Sequence, residues 1–95
     1  MRLGIAYEML SDFSKSINYL KKAERIFKSL DLKHILLSAY NNLSDTFFNK
    51  RDYDNSLNYG KQKLKLAIKS GSKKGTTSAQ DTIDHSYSKA ITESN

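Results

Sequence analysis

Apolar residues recur along the chain at the three- and four-residue spacing that gives a helix one apolar face. Two stretches show this spacing most clearly: Ile17, Leu20, Ala23, Ile26, Phe27 and Leu30, followed by Ile35, Leu36, Ala39, Tyr40, Leu43 and Phe47. No comparable stretch alternates with the period of two that is typical of strands. The pattern therefore predicts an all-α chain with five helices, at roughly 1–10, 13–30, 33–49, 53–70 and 77–92.

An internal repeat with a period of 40 residues organises these helices. The segment 12–19 aligns with 52–59 through four identities in eight positions. The same offset relates Leu3 to Leu43 and Ile83, and Tyr7 to Phe47 and Tyr87. Such periodicity is typical of stacked helix pairs, in which each unit buries an apolar face against its neighbour. The sequence predicts one domain, with repeat 1 at 1–32, repeat 2 at 33–72 and half of repeat 3 at 73–95.

Polar breaks separate the predicted helices. Turns are expected at Ser11–Asp12 and Arg51–Asp52 within helix pairs, and at 31–33 and 71–75 between repeats. The carboxylates of Asp12 and Asp52 are suited to accept hydrogen bonds from the free N–H groups at a helix start. The first helix has no such cap and lacks the first turn of its counterpart, so we expect the chain to be a fragment of a longer array.

Two segments resemble the tetratricopeptide repeat most clearly. Leu3-Gly4-Ile5-Ala6-Tyr7 matches the Leu-Gly-x2-Tyr part of its signature, and Tyr40, Leu43, Ser44 and Phe47 form a conservative version one repeat later. The resemblance implies antiparallel helix pairs in an αα-superhelix of about two and a half elongated repeats. It also implies a core of Leu3, Tyr7, Ile17, Leu20, Leu43, Phe47, Leu57, Ile83 and Tyr87. Gly60 and Lys63 depart from the pattern, and we expect looser packing around them.

In arrays of this family the first helix of each pair lines a concave surface, which implies a peptide-binding groove. The groove residues expected here are Met9, Asn41, Asp45, Phe48, Asn49, Asp81 and His85. Residues one repeat apart should be neighbours, so we expect Asn41 near Asp81 and Asp45 near His85. The alternatives are a solvated polar strip or a weak exposed ion pair between Asp45 and His85. A clamp for a peptide's terminal carboxylate is not expected, because Asp45 and Asp81 would repel it.

The net charge of +6 brings nucleic acid into view as a partner. The lysines fall mainly on or just after the second helices of the pairs, which the resemblance places on the convex face. A charged outer face is the usual solvated side of a helical array. Nucleic acid is therefore the less favoured partner, and the primary expectation is a scaffold that binds a peptide or a partner protein.

The composition of these 95 residues excludes several kinds of site. The absence of cysteine excludes disulfides, a cysteine-based zinc site and a thiol nucleophile, and no apolar run is long enough to cross a membrane. We expect a cytoplasmic protein without enzymatic activity, cofactor or metal. The other class of function considered is a self-assembling structural or sensory segment of a bacterial regulator, forming homo-oligomers through its bare terminal faces.

Overall fold

Four helices account for almost all of the chain in a computed structural model, which describes the backbone of residues 3–94 and the side chains of residues 12–93. Helix α1 spans Leu3–Ser29, α2 spans Lys33–Asn49, α3 spans Tyr53–Ser70 and α4 spans Lys73–Ser94. No strand occurs in residues 3–94. The described chain is therefore all-α, with four helices rather than the predicted five.

The predicted turn at Ser11–Asp12 is wrong, because α1 continues through both residues. Neither residue breaks a helix, since serine and aspartate cost less than about 1 kcal/mol relative to alanine in a helix interior. One repeat later the chain does turn, where Arg51 has a φ of 67° and Asp52 caps the next helix. Asp12 is consequently an interior helix residue, and the first predicted helix pair is one continuous helix.

The turns before and after α3 are set by polar side chains and a glycine. Asp52 accepts a hydrogen bond from the Asn55 N–H at 3.3 Å, and Gly71, with a φ of 72°, ends the helix in the left-handed conformation. Ser72 Oγ then accepts a hydrogen bond from the Gly75 N–H at 3.0 Å. This cap starts α4 at Lys73, four residues before the predicted position, and it places Gly75 inside the helix.

Each helix packs against the next along the chain, and α2 also contacts α4. Helix α2 thus lies between α1 and α3 and beside α4. The core cluster consists of Ile17, Leu36, Tyr40, Leu43, Phe47 and Tyr59. Within it the ring of Tyr59 stacks on Phe47, with centroids 5.6 Å apart, and tilts against Tyr40 at 6.2 Å. These contacts fix α3 against α2.

The predicted core residues fall into four groups. Ile17, Leu43 and Phe47 are buried, whereas Leu20, Leu57 and Ile83 are half-buried. The side chains of Leu3 and Tyr7 lie outside the described residues. The prediction is wrong for Tyr87, which is 59% exposed because no further described helix packs on that face of α4.

Three buried serines and a glycine mark the junction of α2, α3 and α4. Ser56 Oγ donates to the Ser44 carbonyl at 2.9 Å and lies 3.0 Å from Ser86 Oγ. Ser44 Oγ in turn donates to the Ser56 carbonyl at 2.8 Å. Gly60 is buried beside them, and a Cβ there would lie 3.1 Å from Ile83 Cγ1. Small residues therefore bring the helices close together, and the expectation of looser packing at Gly60 is wrong.

The Gly60→Leu substitution is expected to lower the free energy of unfolding by about 2 to 3 kcal/mol, because the larger side chain forces α4 away from α3. Urea denaturation followed by circular dichroism measures this change. The matched control is Asn58→Leu, which adds a leucine at an exposed position of α3 and should change stability by less than about 0.5 kcal/mol. A Gly60→Leu variant as stable as the wild-type chain would contradict the close packing described here.

Candidate functional site

A shallow groove runs between α2 and α4 on the face predicted to be concave. One cavity in it has a volume of about 330 Å³ and brings together four predicted residues, Asp45 and Phe48 of α2 with Asp81 and His85 of α4. The expected proximity of Asp45 and His85 holds in the sense that both line this cavity. Asn49 is exposed at the end of α2. The side chain of Met9 lies outside the described residues.

Aromatic rings form one wall of this cavity. The imidazole of His85 stacks on the ring of Phe48, with centroids 4.9 Å apart and planes 27° from parallel. Tyr53 meets the same phenylalanine edge-on at 5.4 Å, and its hydroxyl donates to Glu93 at 2.8 Å. The stack holds His85 against α2. Among the described side chains, no ion pair joins Asp45 and His85, and no cluster of three potential ligands is arranged to hold a metal ion.

A second cavity of about 290 Å³ lies further along α2 toward its N-terminus. It is lined by Leu37, Ser38, Asn41, Asn42 and Lys63. The ammonium of Lys63 donates to Asn41 Oδ1 and to Ser78 Oγ, both at 2.9 Å, so it ties α2, α3 and α4 together. Asn41 Nδ2 donates weakly to Asp45 Oδ2 at 3.4 Å. The described contacts of Asn41 are thus with Lys63 and Asp45, and the expected contact with Asp81 is not among them.

Lys63 also reaches the groove, although its position on the second helix of a pair predicts the convex face. Its side chain is only 6% exposed. The spacing of residues in α3 indicates this placement of Lys63. Ser56, Gly60, Lys63 and Ala67 fall on one face of the helix, and all four are buried. A lysine at a buried position of an otherwise small-residue stripe points its long side chain into the space between the neighbouring helices.

The charge of Lys63 is costly where it lies. Burial lowers the pKa of its ammonium from the ordinary lysine value, and the nearby carboxylate of Asp45 offsets this only in part. No described side chain forms an ion pair with it. An ammonium has three N–H donors, and the two hydrogen bonds to Asn41 and Ser78 use two of them. The third N–H donor of this nearly buried cation makes no hydrogen bond to a described residue.

One positive group and two negative groups thus lie along the groove. Lys63 supplies a donor at one cavity, and the exposed carboxylates of Asp45 and Asp81 supply acceptors at the next, about one to two helical turns away along α2. Phe48 adds an apolar surface between the acceptors. The arrangement suits a ligand that presents donors, acceptors and apolar groups in a line.

A separate group of lysines surrounds a recess between the C-terminal ends of α1 and α3. The recess has a volume of about 380 Å³, and its basic rim consists of Lys28, Lys33, Lys65 and Lys69. Leu36, Tyr40 and Leu66 form its apolar floor.

In the part of the chain that the structure describes, no helix is both long and apolar enough to cross a membrane.

Comparison with known proteins gave no match to any family model, curated protein or solved structure.

Proposed function

We propose that this chain is a protein-interaction scaffold that binds an extended peptide segment of another protein in the groove between α2 and α4. The observation that carries the proposal is the nearly buried ammonium of Lys63, which lines a cavity and has hydrogen bonds to Asn41 and Ser78 but no ion pair with a described residue. A buried charge that no described ion pair neutralises lowers the stability of the chain. A lysine at such a position is therefore consistent with a role in binding. A peptide carbonyl oxygen is a suitable acceptor for it.

The neighbouring acidic groups favour a peptide over nucleic acid in this groove. Asp45 and Asp81 accept hydrogen bonds from backbone N–H groups or basic side chains, whereas they repel phosphates. Phe48 offers contact to an apolar side chain. A peptide carries N–H donors, carbonyl acceptors and apolar side chains in a regular line, so it complements all of these groups at once.

The proposed scaffold is a tetratricopeptide-like superhelix. The antiparallel pair of α2 and α3, followed by α4 packed beside α2, has the order expected of one repeat and the first helix of the next. The 40-residue offset and the small residues at the helix junction support the same assignment. In this proposal the role of the chain is binding without catalysis.

Panning a random peptide library on the immobilised chain provides ligands with which to test the proposal. Fluorescence polarisation then compares their affinity for the wild-type chain and for the double variant Asp45→Ala/Asp81→Ala. Both carboxylates are exposed, so their loss should leave the fold intact. We expect the dissociation constant to rise at least about tenfold, which corresponds to about 1.4 kcal/mol.

The matched control is Asp54→Ala/Asp84→Ala, which removes two exposed carboxylates outside the groove. Its affinity for the selected peptides should stay within about twofold of wild type. Equal affinities of the two double variants would contradict the proposed groove. The nucleic-acid alternative predicts instead that a generic duplex binds at low salt and that its binding weakens steeply as salt is raised.

A further inference from the structure

The two repeats leave equivalent residues in opposite environments. Tyr59 is 9% exposed, whereas Tyr19, 40 positions earlier, is 74% exposed. Ser56 is fully buried, whereas its equivalent Ser16 is exposed. The residues are identical in type, so the difference lies in what covers them. In the second repeat a helix covers this surface, and in the first repeat no described residue does so.

Helix α2 is the element that covers the surface in the second repeat. Phe47 stacks on Tyr59 with the ring planes 6° from parallel, and Ser44 Oγ lies 3.2 Å from Ser56 Oγ. The 40-residue offset carries Phe47 to Tyr7 and Ser44 to Gly4. The segment 3–10 therefore occupies the position in the repeat of the helix that the uncovered surface lacks.

The uncovered surface is a depression between α1 and α2 with a volume of about 490 Å³. It is lined by Lys15, Ser16, Tyr19 and Leu20 of α1 and by Asn42, Asp45 and Thr46 of α2. The depression matches the site that α2 fills one repeat later.

The same copy of the chain cannot fill this depression while α1 is continuous. Its 27 residues form one helix of about 40 Å, whereas the 17 residues of α2 span about 26 Å. A continuous helix carries the segment 3–10 along its own axis and not back beside residues 13–20. While α1 is continuous, a helix that fills the depression has to come from another molecule.

We propose that two copies of this chain exchange their N-terminal segments, so that residues 3–10 of each copy cover the α1–α2 depression of the other. The α2–α3 packing gives the register, which places Gly4 of the second copy against Ser16 and Tyr7 of the second copy against Tyr19. Along the sequence, the midpoint between Gly4 and Ser16 is position 10, and the midpoint between Tyr7 and Tyr19 is position 13. A two-fold axis near those positions therefore forms every contact twice, as a closed dimer requires.

Ser11–Asp12 is the equivalent of the Arg51–Asp52 turn, but it lies inside α1. The same position of the repeat therefore turns the chain in the second repeat, and in the first repeat it is the hinge of the exchange. This dimer does not depend on any ligand in the α2–α4 groove.

Disulfide trapping tests the exchange directly, because the chain has no cysteine of its own. Gly4→Cys/Ser16→Cys places thiols at the equivalents of Ser44 and Ser56, whose Oγ atoms are 3.2 Å apart. With oxidised glutathione we expect a covalent dimer on a non-reducing gel. The control is Gly4→Cys/Asn18→Cys, in which the second thiol lies on another exposed face of α1 and should not cross-link.

Two results of the trapping would overturn the proposal. A monomer with an internal disulfide would show that the segment folds back within its own chain, and the absence of any disulfide would show that the depression is not its site. Cross-linking of the control to the same extent would likewise count against a specific dimer.

Analytical ultracentrifugation of variants without cysteine provides the second measurement. Tyr19→Glu should raise the dimer dissociation constant at least about tenfold, while Asn18→Glu should leave it within about twofold. Both residues are exposed in the single chain, so each variant should retain its helix content. A strictly monomeric wild-type chain, or equal effects of the two substitutions, would overturn the exchange.

Discussion

The Leu43→Ala substitution is expected to lower the free energy of unfolding by about 3 to 4 kcal/mol. Leu43 has no exposed surface and belongs to the cluster that joins α1, α2 and α3. Truncating such a residue loses the transfer free energy of its methyl groups and leaves a cavity, which together cost about 2 to 5 kcal/mol. A domain of 95 residues has a total stability of roughly 5 to 14 kcal/mol, so the loss is a large fraction of the whole.

Urea denaturation at neutral pH, monitored by circular dichroism, measures this loss. The control is Ile68→Ala, which truncates an aliphatic residue that is 62% exposed on α3 and should cost less than about 1 kcal/mol. If Leu43→Ala and Ile68→Ala had similar effects, the packing centre of the molecule would not lie at Leu43.

The Lys63→Met substitution is expected to stabilise the chain by about 1 to 2 kcal/mol at neutral pH while weakening peptide binding at least about tenfold. Methionine fills nearly the same volume without a charge, and the partners Asn41 and Ser78 are accessible enough to bond to water instead. The peptide, in contrast, loses the donor at the cavity wall. Stability and binding should therefore change in opposite directions.

The stability difference should depend on pH in a defined direction. Burial lowers the pKa of Lys63, so below that lowered value the native chain carries the full cost of the buried charge. As the pH rises from there to the ordinary lysine value, native Lys63 loses its proton while the unfolded chain retains it, and the wild-type chain gains stability. The advantage of Lys63→Met should shrink accordingly as the pH approaches the ordinary lysine pKa of 10.5.

Tyr40 and Tyr59 also ionise at high pH, and burial raises the pKa of both hydroxyls. They are present in both proteins, so their effect largely cancels in the difference. The control Lys61→Met removes an exposed charge from the same helix and should change neither stability nor binding appreciably. A Lys63→Met variant with unchanged peptide affinity would show that the ammonium has only a structural role.

Two helices could be predicted from the sequence to within a residue, because their ends carry local signals. The predicted ranges 33–49 and 53–70 match Lys33–Asn49 and Tyr53–Ser70. Asp52 and Gly71 set these ends through hydrogen bonds and backbone conformation that the residue types themselves favour. The start of α4 was missed, since Ser72 caps the helix before Gly75, which had suggested a longer turn.

The continuity of α1 could not be predicted in this way. Asp12 and Asp52 are followed by similar residues, yet only the second position follows a turn. The turn depends on Arg51 adopting a positive φ, a conformation that arginine does not favour and that its surroundings must enforce. Whether a chain turns at such a position is decided by packing, and the sequence pattern carries little of that information.

Only part of the candidate groove could be predicted, because the rest also depends on how the helices pack. The positions of Asp45, Phe48, Asp81 and His85 follow from helix periodicity and the repeat offset, and the structure places them around one cavity. Lys63 reaches the groove from α3, through a gap left by small neighbours. That placement depends on how closely three helices approach each other, which no single helix pattern specifies.

Mapping of backbone amide chemical shifts on the isotope-labelled chain, during titration with a library-selected peptide, tests the proposed groove most directly. We expect the largest shifts at Asn41, Asp45 and Phe48 of α2 and at Ser78, Asp81 and His85 of α4, together with a shift of the Lys63 ammonium. Shifts confined to the lysines around the α1–α3 recess, with the α2–α4 groove unchanged, would contradict the proposed groove.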